Sequence, residues 1–161
     1  MEGKSRPAAS PAQALAGMDR LIALGIVGQN EIAQRLGLNA TDLTCLAHIW
    51  DAGDEPLTAG ALAEKANLTT GAITGVVNRL ERAGYAHRQA DPADRRRIRI
   101  IADASAAARV VAVYQPFYDR LGELFADYSP DEIAVLADWF TRAAEAMRTS
   151  IEEIRRGDTP A

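Results

Sequence analysis

Three consecutive arginines, Arg95, Arg96 and Arg97, follow the turn-forming stretch Asp91-Pro92-Ala93-Asp94. Guanidinium groups present planar forks of donors that match phosphate oxygens. From Arg79 to Arg99 there are seven arginines against Glu81, Asp91 and Asp94, a local net charge of +4 on a chain whose net charge is −4. A positive patch on an acidic chain suits a polyanion. Just upstream, Thr69, Thr70, Gly71, Thr74 and Asn78 are small or hydrogen-bonding, and Arg79 and Arg82 follow them. Such side chains near a helix start let the backbone approach base edges and phosphates, although an ordinary solvated helix face has the same composition. Other chemistry is sparse. There are two histidines, His48 and His87, one cysteine, Cys45, no phosphate loop and no paired metal-ligand motif. That inventory argues against an enzyme and against a resident cofactor or metal.

The elements that would position these residues read as follows. Thr58 is a good N-cap, with Leu57 stapling onto Leu62, for a short helix ending near Asn67. Thr69 caps the next helix, with Leu68 and Ile73 as its staple. Ile73, Val76, Val77 and Leu80 recur at helical spacing and Gly84 closes the helix in left-handed conformation. Two short helices with a tight turn fit a helix-turn-helix. Tyr85 to Ala90 and Ile98 to Ala102 then flank an arginine-rich tip as a hairpin, with Asp91-Pro92 and Asp94 as turn residues.

Together, LAEKANLTTGAITGVVNRLERAGYAHR and the following DPADRRRIRIIAD resemble the winged helix-turn-helix of MarR-family transcriptional regulators. The resemblance implies that the second helix enters a DNA major groove. It implies that Arg96 reaches the adjacent minor groove, with Asp94 orienting its guanidinium, and a narrow minor groove does attract arginine. Gly71 and Gly75 depart from the larger polar or basic residues that many members carry there. The implied fold is mainly α with a small β-wing, six helices in all, with N- and C-terminal helices forming a dimerisation lobe.

The rest of the chain fits that plan. Residues 1–11 are rich in Pro, Ala and Ser and read as a disordered tail, with no apolar core of a signal peptide. Residues 12–156 read as one domain, with the winged module over about 40–102 and dimerisation helices over about 12–36 and 103–156; residues 157–161 read as a second tail. In the first helix Leu15, Met18, Leu21, Ile22, Ile26, Ile32 and Leu36 recur at three and four. Gly25 and Gly28 there permit either a close helix crossing or a bend. Gly37 ends that helix. Asn39 or Thr41 caps a helix to Ala52 with Leu43, Leu46, Ala47 and Trp50 inward. Asp103 caps a long helix to about Tyr128, in which Pro116 should kink the backbone. Ser129-Pro130-Asp131-Glu132 is a capping box with proline at the first helical position. The last helix, of roughly 25 residues to about Arg156, would be ~38 Å long at 1.5 Å per residue. Its apolar stripe through Met147, Ile151 and Ile154 needs a partner, and the resemblance supplies one in a second copy.

No run of apolar residues is long enough for a membrane span, and with a single cysteine no intrachain disulfide can form, so a cytoplasmic chain is expected. The functional reading is a homodimeric, sequence-specific regulator of double-stranded DNA on a palindromic operator. Repression is expected, with release by a small aromatic or anionic effector. Ile22, Ile26, His48, Tyr114 and Tyr118 are the candidate effector-lining residues, again by resemblance. Two other readings stay open. One is a ligand-sensing or protein-interaction dimer with weak DNA binding. The other is redox control through Cys45, whose alternative is an inert core thiol.

Overall fold

The structure, a computed structural model, describes residues 7–157. Of the tails expected over residues 1–11 and 157–161, residues 1–6 and 158–161 lie outside the described ones. The chain divides into two compact units, one spanning Ala9–Pro116 and the other holding the residues from Phe117 onward.

In the first unit α1 spans Pro11–Arg35 and α2 spans Ala40–Asp51. Ser10 opens α1 with a reciprocal capping box to Gln13. Asn39, not Thr41, opens α2. Its Oδ1 accepts from the Asp42 backbone amide at 2.8 Å, and Asp42 Oδ2 accepts from the Asn39 amide at 3.2 Å. Gly37, at φ +70°, reverses the chain between the two helices. A Cβ added at Gly25 or Gly28 would meet nothing within 4 Å among the described residues.

Next come β1 (Leu57–Thr58), α3 (Ala59–Ala66), α4 (Thr70–Arg82), β2 (Ala86–Ala90) and β3 (Ile98–Ala102). Thr58 and Thr69 cap α3 and α4, each accepting an amide at 3.2 Å. Asn67 ends α3 at φ +53°, in the left-handed region that asparagine tolerates better than most residues. The tight turn to α4 follows directly. Gly84, at φ +69°, turns the chain out of α4, where a side chain would be strained.

The sheet is antiparallel with order β1-β3-β2. β2 and β3 run in register from Ala86 opposite Ala102 to Ala90 opposite Ile98. The expected hairpin is therefore present, starting one residue later than Tyr85. Leu57 and Thr58 pair with Ile100 and Arg99 as a third strand. Two residues are too few to show a period, which is why the sequence showed Leu57 only as a helix staple. β3 is the central strand, and its Ile100 points into the core while Ile98 remains exposed.

One hydrophobic core lies in this unit. Every buried apolar residue among those described falls between Ala33 and Val110, and Leu46, Leu62, Ile73 and Leu80 are fully enclosed. Burying a side chain of this size stabilises by roughly 1.5–3 kcal/mol. Ile73, Val76, Val77 and Leu80 are the buried stripe of α4, at the spacing the sequence predicts.

α5 runs over Ala104–Leu124 and passes from the first unit into the second, with Pro116 inside it. Asp103 opens it, its Oδ1 accepting from the Ser105 amide at 2.8 Å. A short 3-10 turn, Phe125–Asp127, follows where the sequence suggests continued α-helix. α6 spans Pro130–Arg156 behind the expected Ser129–Glu132 capping box, and none of its residues is buried.

Candidate nucleic-acid interface

α4 is the helix that the small polar residues were expected to equip. Thr70, Gly71, Thr74, Asn78 and Arg82 are all exposed on it, on the side away from the buried stripe. The Thr69 hydroxyl is committed to the cap. Thr74 donates its hydroxyl back to the Thr70 carbonyl at 3.1 Å, so it presents a methyl group and oxygen lone pairs outward. Arg82 Nε donates to the Asn78 carbonyl at 3.2 Å, which lays its side chain along the helix. Gly71 faces open space, the nearest atom to an added Cβ being Thr69 Oγ1 at 4.0 Å. At Gly75 an added Cβ would come 3.4 Å from Arg79 Nη1.

Arg79 differs from the other expected DNA residues. Its Nε lies 3.0 Å from both oxygens of Asp42, and its Nη2 lies 2.7 Å from Oδ1. The Asp42 carboxylate is 1% exposed, so this is a fork-shaped ion pair with one partner fully enclosed. Part of the fork expected to face DNA is thus engaged by α2.

The seven arginines now divide into two groups. Arg79 pairs with Asp42, Arg88 with Glu81 and Arg99 with Asp91. Glu81 also accepts from the Arg88 amide at 2.9 Å, joining α4 to the edge strand β2. Asp91 is 3% exposed, and its Oδ2 accepts from Arg99 Nε at 2.8 Å. Its Oδ1 accepts from the Ala93 amide at 2.9 Å, and Arg99 Nη1 reaches the Pro56 carbonyl at 3.2 Å. The Ala93 amide, then Arg99, hold the Asp91 carboxyl below the usual carboxylate range. These contacts fix the base of the wing.

Arg82, Arg95, Arg96 and Arg97 form the second group, exposed and without an ion pair among the described residues. At the tip, the described contacts of Asp94 are with backbone amides. Its Oδ1 accepts from the Arg96 backbone amide at 3.0 Å, and its carbonyl accepts from the Arg97 amide at 2.8 Å. A short aspartate side chain reaches an amide two residues on more readily than the end of a long arginine. Asp94 therefore shapes the turn that carries the three arginines.

The C-terminal end of α4 is also held. Arg109 from α5 donates to the carbonyls of Gly84, at 2.7 Å, and Ala83, at 3.2 Å. Its guanidinium also stacks 4.4 Å from the Tyr85 ring centroid. A cation at a helix C-terminus offsets the negative end of the helix dipole. The buried Tyr85 hydroxyl donates to the Leu36 carbonyl at 3.0 Å, tying the same corner to the end of α1. Neither contact was visible in the sequence, because each joins residues at least 25 positions apart.

Of the candidate effector residues, Ile22, Ile26, His48 and Tyr114 belong to the first unit and Tyr118 to the second. Ile22 and Ile26 stand exposed on α1, and Tyr114 packs at the edge of the core. His48 lines a shallow surface depression with Asp51, Glu55 and Lys65. Tyr118 belongs to the second unit and rests edge-on against Phe117, with ring centroids 5.5 Å apart. Cys45 is fully buried, and burial, then the Asp42 charge, pushes its thiol pKa up to about 11. So little thiolate exists near neutral pH that a peroxide-sensing role has no chemical support. No helix among the described residues is long and apolar enough to cross a membrane.

A model of the MarR family matches residues 38–98, from the start of α2 into the wing. An HTH-type transcriptional regulator of Bacillus subtilis, YcgE, is 35% identical over 124 residues, covering 77% of this chain and 79% of its own. The B. subtilis HTH-type transcriptional repressor YetL is 28% identical over 110 residues, 66% of each chain. Among solved structures, a mutant of S. aureus MepR bound to an oligodeoxyribonucleotide shares the fold with a TM-score of 0.58 at 18% identity, over 83% of this chain and 97% of that one. Among the described residues, the six α-helices and the β2–β3 wing hairpin are what the sequence led one to expect, and β1 adds a third strand to them. The chain belongs to the MarR family of transcriptional regulators, and it is not an enzyme.

Proposed function

We propose that the chain is a sequence-specific repressor that binds double-stranded DNA as a homodimer on a palindromic operator. The observation that carries this reading is the division of the arginines. Three are spent inside the fold on Asp42, Glu81 and Asp91, and the four that remain, Arg82, Arg95, Arg96 and Arg97, are exposed on α4 and the wing tip. Thr70, Gly71, Thr74 and Asn78 would face base edges, and Arg82, Arg95, Arg96 and Arg97 phosphates or the minor groove, with Thr69 and Asp94 shaping the backbone around them. YetL, named a transcriptional repressor, supports the sign of regulation.

The dimer is supported by apolar surface that this chain leaves open. Leu15, Leu21, Leu24, Ile26 and Val27 are exposed on α1, and Trp139, Phe140, Met147, Ile151 and Ile154 are exposed on α6. Contiguous apolar faces of that extent ordinarily meet a partner. A two-fold dimer would set its recognition helices about one turn of DNA apart, ~34–36 Å. We extend the proposal to release by a small aromatic or anionic effector, for which the exposed Ile22 and Ile26 of α1 offer apolar contact. Such a regulator would work in the cytoplasm.

Replacing Arg96 with alanine tests the wing. Binding to the operator should weaken by about 1–3 kcal/mol, and the slope of log affinity against log salt should fall by about 0.9, one phosphate-sized contact. Unchanged affinity would remove Arg96 from the interface.

A further inference from the structure

We propose that Arg79, although it lies on the recognition helix, is a positioning residue held by Asp42 and not a phosphate ligand. This inference rests on the DNA-binding reading above.

The geometry is specific. Asp42 stands in the first turn of α2, where a carboxylate also complements the helix dipole. Its side chain is enclosed, and its two oxygens accept from three protein groups: the Asn39 amide, Arg79 Nε and Arg79 Nη2. Arg79 supplies its countercharge, so the carboxylate cannot be left alone without a large penalty. On α4 the guanidinium lies back over Gly75, whose missing side chain leaves room for Nη1. Helical side chains lean toward the N-terminus, which accounts for that direction. Nε and Nη2 face Asp42, and the pair's net charge is zero.

Two consequences follow. An internally neutralised guanidinium releases no counterion when DNA docks, so Arg79 should add nothing to the salt dependence of binding. A side-on, two-nitrogen grip on a buried partner fixes the rotation of α4 about its own axis. Rotation decides which edges Thr70, Thr74 and Asn78 present. Asp42 follows α1 after only the turn at Leu36–Leu38, so the end of α1 and the rotation of α4 are joined through one ion pair. Loss of the pair should therefore reduce discrimination between operator and other DNA while leaving the phosphate contacts intact.

The experiment uses the full chain and duplexes tiled across its own upstream region, with affinity measured over a series of salt concentrations. Arg79→Gln and Asp42→Asn should each lower the ratio of specific to non-specific affinity by about tenfold. Both should keep the wild-type salt slope, and the double variant should be no worse than either single one. Arg79→Lys, which keeps the charge and loses the fork, should also lose discrimination at the wild-type slope. It stands in should Asp42→Asn fail to fold. A slope that falls by about 0.9 in Arg79→Gln but not in Asp42→Asn would make Arg79 a phosphate ligand and overturn the proposal. Undiminished discrimination in Arg79→Gln and Arg79→Lys would overturn it equally. If the wild-type chain binds every duplex alike, the functional reading itself fails. Amide exchange across Val76–Leu80 then decides the anchoring: faster exchange in both Arg79→Gln and Asp42→Asn supports it, and unchanged exchange refutes it.

Discussion

The winged module and the last helix are built on opposite terms. Between Ala33 and Val110 lies an enclosed apolar core, and buried carboxylates at Asp42 and Asp91 each have an arginine. α6 is longer than any other helix, at 27 residues, yet none of its residues is buried and Ile154 remains 63% exposed. Its apolar spacing is as regular as that of α4. The difference lies in what each stripe meets. A stripe that meets its own chain is stable alone, whereas an open one takes its stability from concentration. The module that we assign to DNA is thus internally complete, and the helices that we assign to dimerisation are not.

The sharpest way to break that contrast is to cut both regions alike. Leu80→Ala, in the enclosed stripe, should destabilise the chain by about 2–5 kcal/mol at any protein concentration, as measured by urea unfolding. A loss that disappears at higher protein concentration would place Leu80 in an interface.

Ile151→Glu should do the reverse. Self-association followed by sedimentation should weaken by at least tenfold, the scale of a ~1.4 kcal/mol change. Circular dichroism of the winged module should keep its unfolding transition. If the variant sediments as the wild type does, α6 is not the interface.

A smaller effect separates the wing base from its tip. The Asp91 carboxyl is held below its ordinary range by the Ala93 amide and by Arg99. A carboxylate with a depressed folded pKa stabilises the fold above its unfolded value, and that contribution is lost as pH falls through the folded value. Asp91→Asn should therefore lower stability near neutral pH and flatten the acid side of the stability profile below about pH 4. A variant whose acid profile parallels the wild type would sever Asp91 from wing stability.

The smallest expected change has an opposite sign in two assays. Gly71 lies exposed inside α4, and no neighbouring atom crowds its missing side chain. Gly71→Ala should stabilise the fold by about 0.5–1 kcal/mol. If DNA approaches the backbone closely at that point, the same substitution weakens operator binding. A gain in stability with unchanged binding would show that the glycine does not serve the interface.

These regions also differ in how much the sequence discloses. Caps at Asn39, Thr58, Thr69 and Ser129, and the stripe of α4, are local patterns, and each appears in the fold where it was read. β1 escaped because a two-residue strand has no period. The arginine count was legible, but not its division, because pairing depends on partners brought from elsewhere in the chain. Asp42 and Arg79 are 37 residues apart. The available hint was that Arg79 sits on the flank of the apolar stripe beside Val76, while Asp42 sits three residues after an asparagine cap. Arg109 gave no hint, since an exposed arginine on α5 looks like any solvated charge until Gly84 and Tyr85 are placed beneath it. The backbone contact of Asp94 was hidden for the same reason: a motif specifies residue order, and only the turn geometry decides which amide a short carboxylate meets.

Fluorescence anisotropy of the purified full chain, on duplexes tiled across its own upstream region at two salt concentrations, bears most directly on the central claim. Tight binding to one palindromic tile that weakens steeply as salt rises is the expected result, because exposed arginines meet phosphates. Equal, weak binding to every tile would contradict it.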